Sequence, residues 1–161
     1  MATQTYNPIA SITLGAATAS VTFSAIPQTY TDLVIVMFSD QTASSISRME
    51  FNNDTATNYS ATFIAGDISN TATSNRASNA NSTAITYTSA NEQISIIHLM
   101  NYSNTTTNKT NLSKRNDALG NVILNVGLWR STAAITSVKL SSTSSTFTSN
   151  STFNLYGIKA A

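Results

Sequence analysis

Apolar and polar residues alternate one by one in short runs along the whole chain, and no stretch carries an apolar stripe at helical spacing. Strict alternation puts every second side chain on the same face of an extended strand, so this period commits the chain to β-structure. SVTFSA places Val21, Phe23 and Ala25 on one side and Thr22 and Ser24 on the other. NVILNVGLWR gathers Val122, Leu124, Val126 and Leu128, and TSVKL gathers Val138 and Leu140. Three runs are apolar on both faces. In DLVIVMFS, Leu33, Ile35 and Met37 oppose Val34, Val36 and Phe38; in QISIIHLMNYS, Ile94, Ile96, His98, Met100 and Tyr102 oppose Ile97 and Leu99. In FNLYGIK, Phe153 and Leu155 oppose Tyr156 and Ile158. A two-sided strand belongs inside a sheet whose faces are both covered. The last run is therefore expected to lie between two neighbours, with Gly157 marking a bulge or a close backbone approach.

Shorter candidates are ASITLG, SRMEF, SATFIAG and STAITYT. The total is about eight to ten strands joined by polar turns, the pattern of an all-β, single-domain sandwich or barrel over residues 1–161. Residues 103–120 read as loop, with one helical turn possible near DALG. Residues 1–14 read as an arm or edge strand, because Pro8 cannot donate to a ladder. With two prolines and five glycines in the chain, the turns must rely on Asn, Asp and Ser, which bond their own backbone and tolerate left-handed conformations.

Composition sharpens what the surface is like. Charged residues are 9% of the chain, against roughly 25% in ordinary domains. Ser, Thr and Asn make up about two-fifths and keep the surface wet in place of Lys and Glu. The net charge of +1 supplies no electrostatic footprint for nucleic acid, and Lys109, Lys114 and Arg115 read as a solvated loop. The absence of cysteine excludes disulfides, Cys-based zinc sites and thiol chemistry. The longest apolar run, LVIVMF, is far short of the ~20 residues that span a bilayer as a helix. MATQTYNPIA lacks the basic and apolar regions of a signal peptide, so neither classical export nor a membrane location is expected.

Chemistry-bearing residues are few. His98, the one histidine, stands between Ile96 and Met100 and reads as a packed side chain, since a metal site needs several converging ligands. No serine sits in a nucleophile-elbow motif. FNNDTATN around Asp54 lacks calcium-loop spacing and reads as Asx-type turns. Asp40 and Glu50 would have to converge within several Å to act as a glycosidase pair. Sequons at Asn58, Asn81, Asn101, Asn104 and Asn150 are expected by chance in such a composition. Trp129 either anchors a binding site or plugs the sandwich. No catalytic, cofactor-binding or metal residue is assigned, and no enzyme activity is expected.

FSAIPQTYTDLVIV, MEFNNDTATNYSATFI, IHLMNYSNTTTNKTNLS, GLWRSTAAITSVKL and STFNLYGIKAA occur in this order over about four-fifths of the chain. Together they resemble a family of small virion structural proteins of tailed bacteriophages, common in phages of aquatic bacteria including cyanophages. LYGIKA and the W-x-S-x-A-A-I segment are the most specific parts. The resemblance implies a jelly-roll sandwich that assembles on the particle, often as a homotrimer, and it offers no catalytic residues to carry over; no cofactor, nucleic-acid partner or membrane partner is expected. The expected role is capsid decoration (cement) on the outer shell, with the major capsid protein or another virion protein as partner. Assembly would take place in the bacterial host cytoplasm. The alternative is a tail-fibre, tail-adaptor or receptor-binding module, whose sugar-stacking ring would draw on Tyr59, Tyr87 and Tyr102.

Overall fold

The computed structural model describes residues 4–88 and 90–159. Twelve strands are present: β1 (Tyr6–Thr13), β2 (Ser20–Phe23), β3 (Asp32–Ser39), β4 (Ser45–Phe51), β5 (Tyr59–Gly66), β6 (Ala72–Ala80), β7 (Thr83–Thr88), β8 (Gln93–Met100), β9 (Lys109–Asp117), β10 (Val122–Trp129), β11 (Val138–Ser142) and β12 (Thr152–Ile158). No helix forms among the described residues. All pairings are antiparallel. One sheet runs β1-β12-β3-β8-β9-β10-β5-β6 and the other β2-β11-β4-β7.

That order defines a jelly roll. Four strands of the large sheet, β1-β12-β3-β8, and the whole small sheet, β2-β11-β4-β7, form the eight strands and two Greek keys of the fold. The other four strands are two hairpins inserted into its connections. β5–β6 lies between β4 and β7, β9–β10 lies between β8 and β11, and together they extend the large sheet past β8. The insertions account for the excess over eight to ten strands.

Leu33, Ile35, Met37, Ile97, Leu99, Phe153 and Leu155 from the large sheet meet Val21, Phe23, Met49, Phe51, Ile85, Val138 and Leu140 from the small one. β12 sits between β1 and β3, its backbone paired on both sides, with Phe153 and Leu155 turned inward and buried. Gly157 lies against the Tyr30 ring, so the close-approach reading holds. β1 is an edge strand paired to β12 from Tyr6 to Thr13, with a register shift at Pro8/Ala10 where proline interrupts the ladder.

Asparagine does shape the turns. Of seven non-glycine residues with positive φ among those described, six are Asn: 52, 53, 70, 79, 101 and 150. The seventh is Ala25, with φ 52°. Asn52 and Asn53 form the turn closed by the Asp54 N–H donating to the Phe51 carbonyl at 2.8 Å.

Two sequence expectations fail. Residues 109–117, expected as loop, are strand β9: its inward side chains Lys109, Asn111, Ser113, Arg115 and Asp117 are polar, so the alternation carries no hydropathy contrast. Near DALG there is a turn without helix, closed by the Gly120 N–H on the Asp117 carbonyl, with Gly120 at φ 88°. The Asp117 carboxylate also accepts the Leu119 and Asn121 N–H groups at 3.0 Å. β6, ATSNRASNA, is a further strand that the hydropathy pattern hides, since both of its faces are polar and exposed almost throughout.

Candidate functional site

The residues weighed for chemistry do not converge. Asp40 follows β3 at one end of the sandwich, whereas Glu50 lies toward the opposite end of β4, roughly 15 Å away at ~3.3 Å per residue. Asp40 accepts the Gln41 N–H, and Glu50 pairs with Lys139 at 3.2 Å. No group of three or more His, Asp or Glu that could hold a metal occurs among the described residues.

Asp54 is a structural hub. Its carboxylate accepts the Ala56 N–H at 2.9 Å, the Asn58 amide at 2.9 Å and the Trp129 indole N–H at 2.7 Å. The Asn58 hydrogen bond, aided by Trp129 and Ala56, holds the Asp54 carboxyl below the usual carboxylate range against the opposing effect of burial. The Tyr59 hydroxyl donates to the Asp54 carbonyl at 3.0 Å, and its ring stacks on Trp129 with centroids 6.2 Å apart. Burial pushes the Tyr59 phenol up to about 12. Trp129 is thus a plug, 2% exposed and packed on Phe51 and Tyr59. The sugar-stacking ring is overturned at two of its three positions: Tyr59 and Tyr102 are fully buried, and Tyr102 donates to the Pro27 carbonyl. The Tyr87 side chain lies outside the described residues.

Nor is there a solvated basic loop at 109–115. Lys109 is buried, with its ammonium donating to the Thr107 and Thr132 carbonyls at 2.7 and 3.1 Å, and burial lowers its pKa. Arg115 is buried against Asp117 at 2.6 Å. Burial pulls the guanidinium pKa down, and the Asp117 charge opposes that. These groups belong to a polar layer beneath β7, where Ser113 donates to the Ile85 carbonyl at 3.1 Å and Asn125 to the Ala84 carbonyl. Gly127 lies in the same layer, where a Cβ would overlap the side chains of Asn111 and Thr83.

That layer explains the main surface feature. β10 presents four aliphatic side chains on one side, Val122, Leu124, Val126 and Leu128, and Ile123, Asn125, Gly127 and Trp129 on the other. Burial favours turning the aliphatic side inward. The structure does the reverse: Ile123, Asn125, Gly127 and Trp129 face in, and Val122, Leu124 and Val126 remain 51, 42 and 54% exposed. Registers carry this stripe across the outer face of the large sheet. One row runs Ile64–Leu124–Lys114–Ile96–Val36 and the next Thr62–Val126–Leu112–His98–Val34–Tyr156. A third runs Val122–Asn116–Ile94–Phe38. His98 is therefore a half-buried member of an apolar sheet face. Two shallow grooves, about 500 and 280 Å³, lie side by side on this face and share Val122 and Leu124.

Fold and surface together define a jelly-roll protein with a widened sheet whose outer face is apolar. No protein-family model, curated protein or solved structure matches the chain.

Proposed function

We propose that the protein is a bacteriophage virion structural component, in the first place a capsid decoration protein that binds the outer shell as a homotrimer. The observation that carries this reading is the outer face of the large sheet. An apolar face on an extended sheet is a surface for assembly, and singly scattered hydrophobic residues do not produce such a continuous patch. The rest of the reading comes from the resemblance of residues 23–36, 49–64, 97–113, 127–140 and 151–161 to tailed-phage virion proteins. The jelly roll is compatible with it, being a fold of viral capsid proteins among others, although fold alone assigns no function. A surface of Ser, Thr and Asn fits a particle exposed to variable salt, because hydroxyls and amides are not weakened by ionic screening as ion pairs are. On this reading the chain works by binding, and no catalysis is assigned to it. The test is the copy number of the chain per purified virion by quantitative gel analysis. Hundreds of copies are expected for shell decoration. A few to a few dozen would move it to the tail, and none would end the virion reading.

A further inference from the structure

We infer that the outer face of the large sheet is covered by the turn-bearing end of a second copy of this chain, so that copies associate head to tail. The inference rests on the self-association within the role proposed above and specifies which surfaces meet.

The first argument is area. Eight large apolar side chains on this face are each 40 to 55% exposed, from Met100 to Ile64. Together they offer on the order of 600 Å², at the top of the range for the largest apolar patch on a monomer. That approaches the ~800 Å² per partner of a standard interface.

The second argument is charge. The face carries two exposed cations, Lys114 and Arg76, the latter paired to Thr62 in the outer row. Among the described residues its one carboxylate, Asp32, lies at the far end of β3 and accepts the Asn101 N–H at 2.6 Å. Face-to-face packing would press cations against a face whose carboxylate lies at its far end, and buried unpaired charge is costly. The complement lies at the end of the sandwich where β3, β5 and β9 finish. Asp40, Glu92 and Asp67, three of the seven acids in the chain, are strung along that end over four strand spacings, roughly 19 Å from β3 to β5. Asp40 and Asp67 accept N–H groups of their own turns, and Asp67 and Glu92 are exposed. Beside them project Ile68, 67% exposed, and Leu119, 49% exposed. Glu92 is tied to the Leu119 turn by the Ala118 N–H donating to its carbonyl at 3.0 Å. One chain therefore holds an acidic end with apolar knobs and a cationic face with apolar grooves. Such a contact is heterologous and closes into a ring when the rotation allows, as the proposed trimer requires.

The experiment is sedimentation velocity of the full chain across a dilution series at low and high salt. The wild type is expected to form multimers at micromolar concentration and to dissociate more readily in high salt. Val126→Asp should weaken association at least tenfold while leaving the thermal unfolding of the subunit intact. Lys114→Glu and Glu92→Lys should each weaken it, and the double swap should recover at least tenfold over either single variant. A wild type monomeric at ~100 μM, or multimers indifferent to Val126→Asp, would overturn the inference. Association strengthened by Lys114→Glu and untouched by Glu92→Lys would point to face-to-face packing and overturn it equally. These measurements use isolated protein, so their failure leaves the virion copy number to stand or fall by itself.

Discussion

Gly157→Ala is a one-carbon change whose consequence is readable from the packing. A methyl at Gly157 would stand 2.5 Å from Cδ1 and Cδ2 of the Tyr30 ring, and closer still to Cγ. Cγ is the root of the ring, so a small swing about χ2 does not clear it. The backbone on both sides is held. Tyr156 and Gly157 pair with Val34 and Leu33 of β3, and the Thr31 N–H donates to the Ile158 carbonyl at 2.8 Å. Relief therefore requires Tyr30 to leave its rotamer or β12 to shift, and overpacking of this kind costs about 1–3 kcal/mol. At ~2–4 °C per kcal/mol for a domain of this size, a mid-range cost of 2 kcal/mol lowers Tm by roughly 4–8 °C. The assay is a thermal double-mutant cycle with Tyr30→Ala. With the ring removed, the methyl has room, and Gly157→Ala should cost less than about 0.5 kcal/mol in that background. Equal cost in both backgrounds would place the strain in the backbone and refute the steric account, as would a Gly157→Ala protein that melts with the wild type.

Further outcomes are expected for core packing, the buried ion pair and pH. Leu155→Ala, at a core position 1% exposed, should cost roughly 2–5 kcal/mol by thermal melting, and a chain cut after Asn150 should fail to show a cooperative transition, since it loses β12 from between β1 and β3. Asp117→Ala leaves the Arg115 guanidinium buried without its carboxylate and uncaps the 117–121 turn, so it should destabilise by about 3–5 kcal/mol in denaturant titration, while Lys114→Ala on the exposed side of the same strand should stay within ~0.5 kcal/mol. Asp54 has a lowered folded-state pKa, so its contribution is present above the unfolded value of 3.8 and is lost as pH falls through the folded value. Stability should therefore decline below about pH 4, and Asp54→Asn should flatten that decline in acid melts. Tyr59 has the opposite sign: its phenol stays protonated to about 12 when folded and to 10.0 when unfolded, so stability should fall as pH rises from 10 toward 12.

Much of the architecture follows from the sequence itself because a strand's period is 2. The runs at 33–38, 94–100 and 153–158 are apolar on both sides, and all three strands are paired to a neighbour on each edge as expected. The expected cover over the second face is not there, since Phe38, Ile94 and Met100 stay 41, 46 and 40% exposed on the outer face of the chain. Asn-rich turns in a glycine-poor chain follow because Asn tolerates positive φ better than most side chains, and among the described residues it supplies six of the seven such non-glycine positions. The turn character of Asp54 was legible for the same reason, since a short carboxylate bonds its own backbone two residues on.

Periodicity says that two faces exist without saying which one is inside, and there the tertiary structure decided. In β10 the aliphatic side points outward, because the inward positions must meet Asn111, Thr83 and the Ala84 carbonyl across a polar layer set by β7 and β9. In β9 the alternation was invisible, since Lys109, Asn111, Ser113 and Arg115 are polar by sequence and buried, with Lys109 reaching the distant Thr132 carbonyl and Ser113 the distant Ile85 carbonyl. Trp129 could be an anchor or a plug until Asp54, 75 residues away, received its indole N–H. The outer face is a surface of the same origin. Its apolar rows exist only once six strands from across the chain are placed in register, and no local stretch contains them.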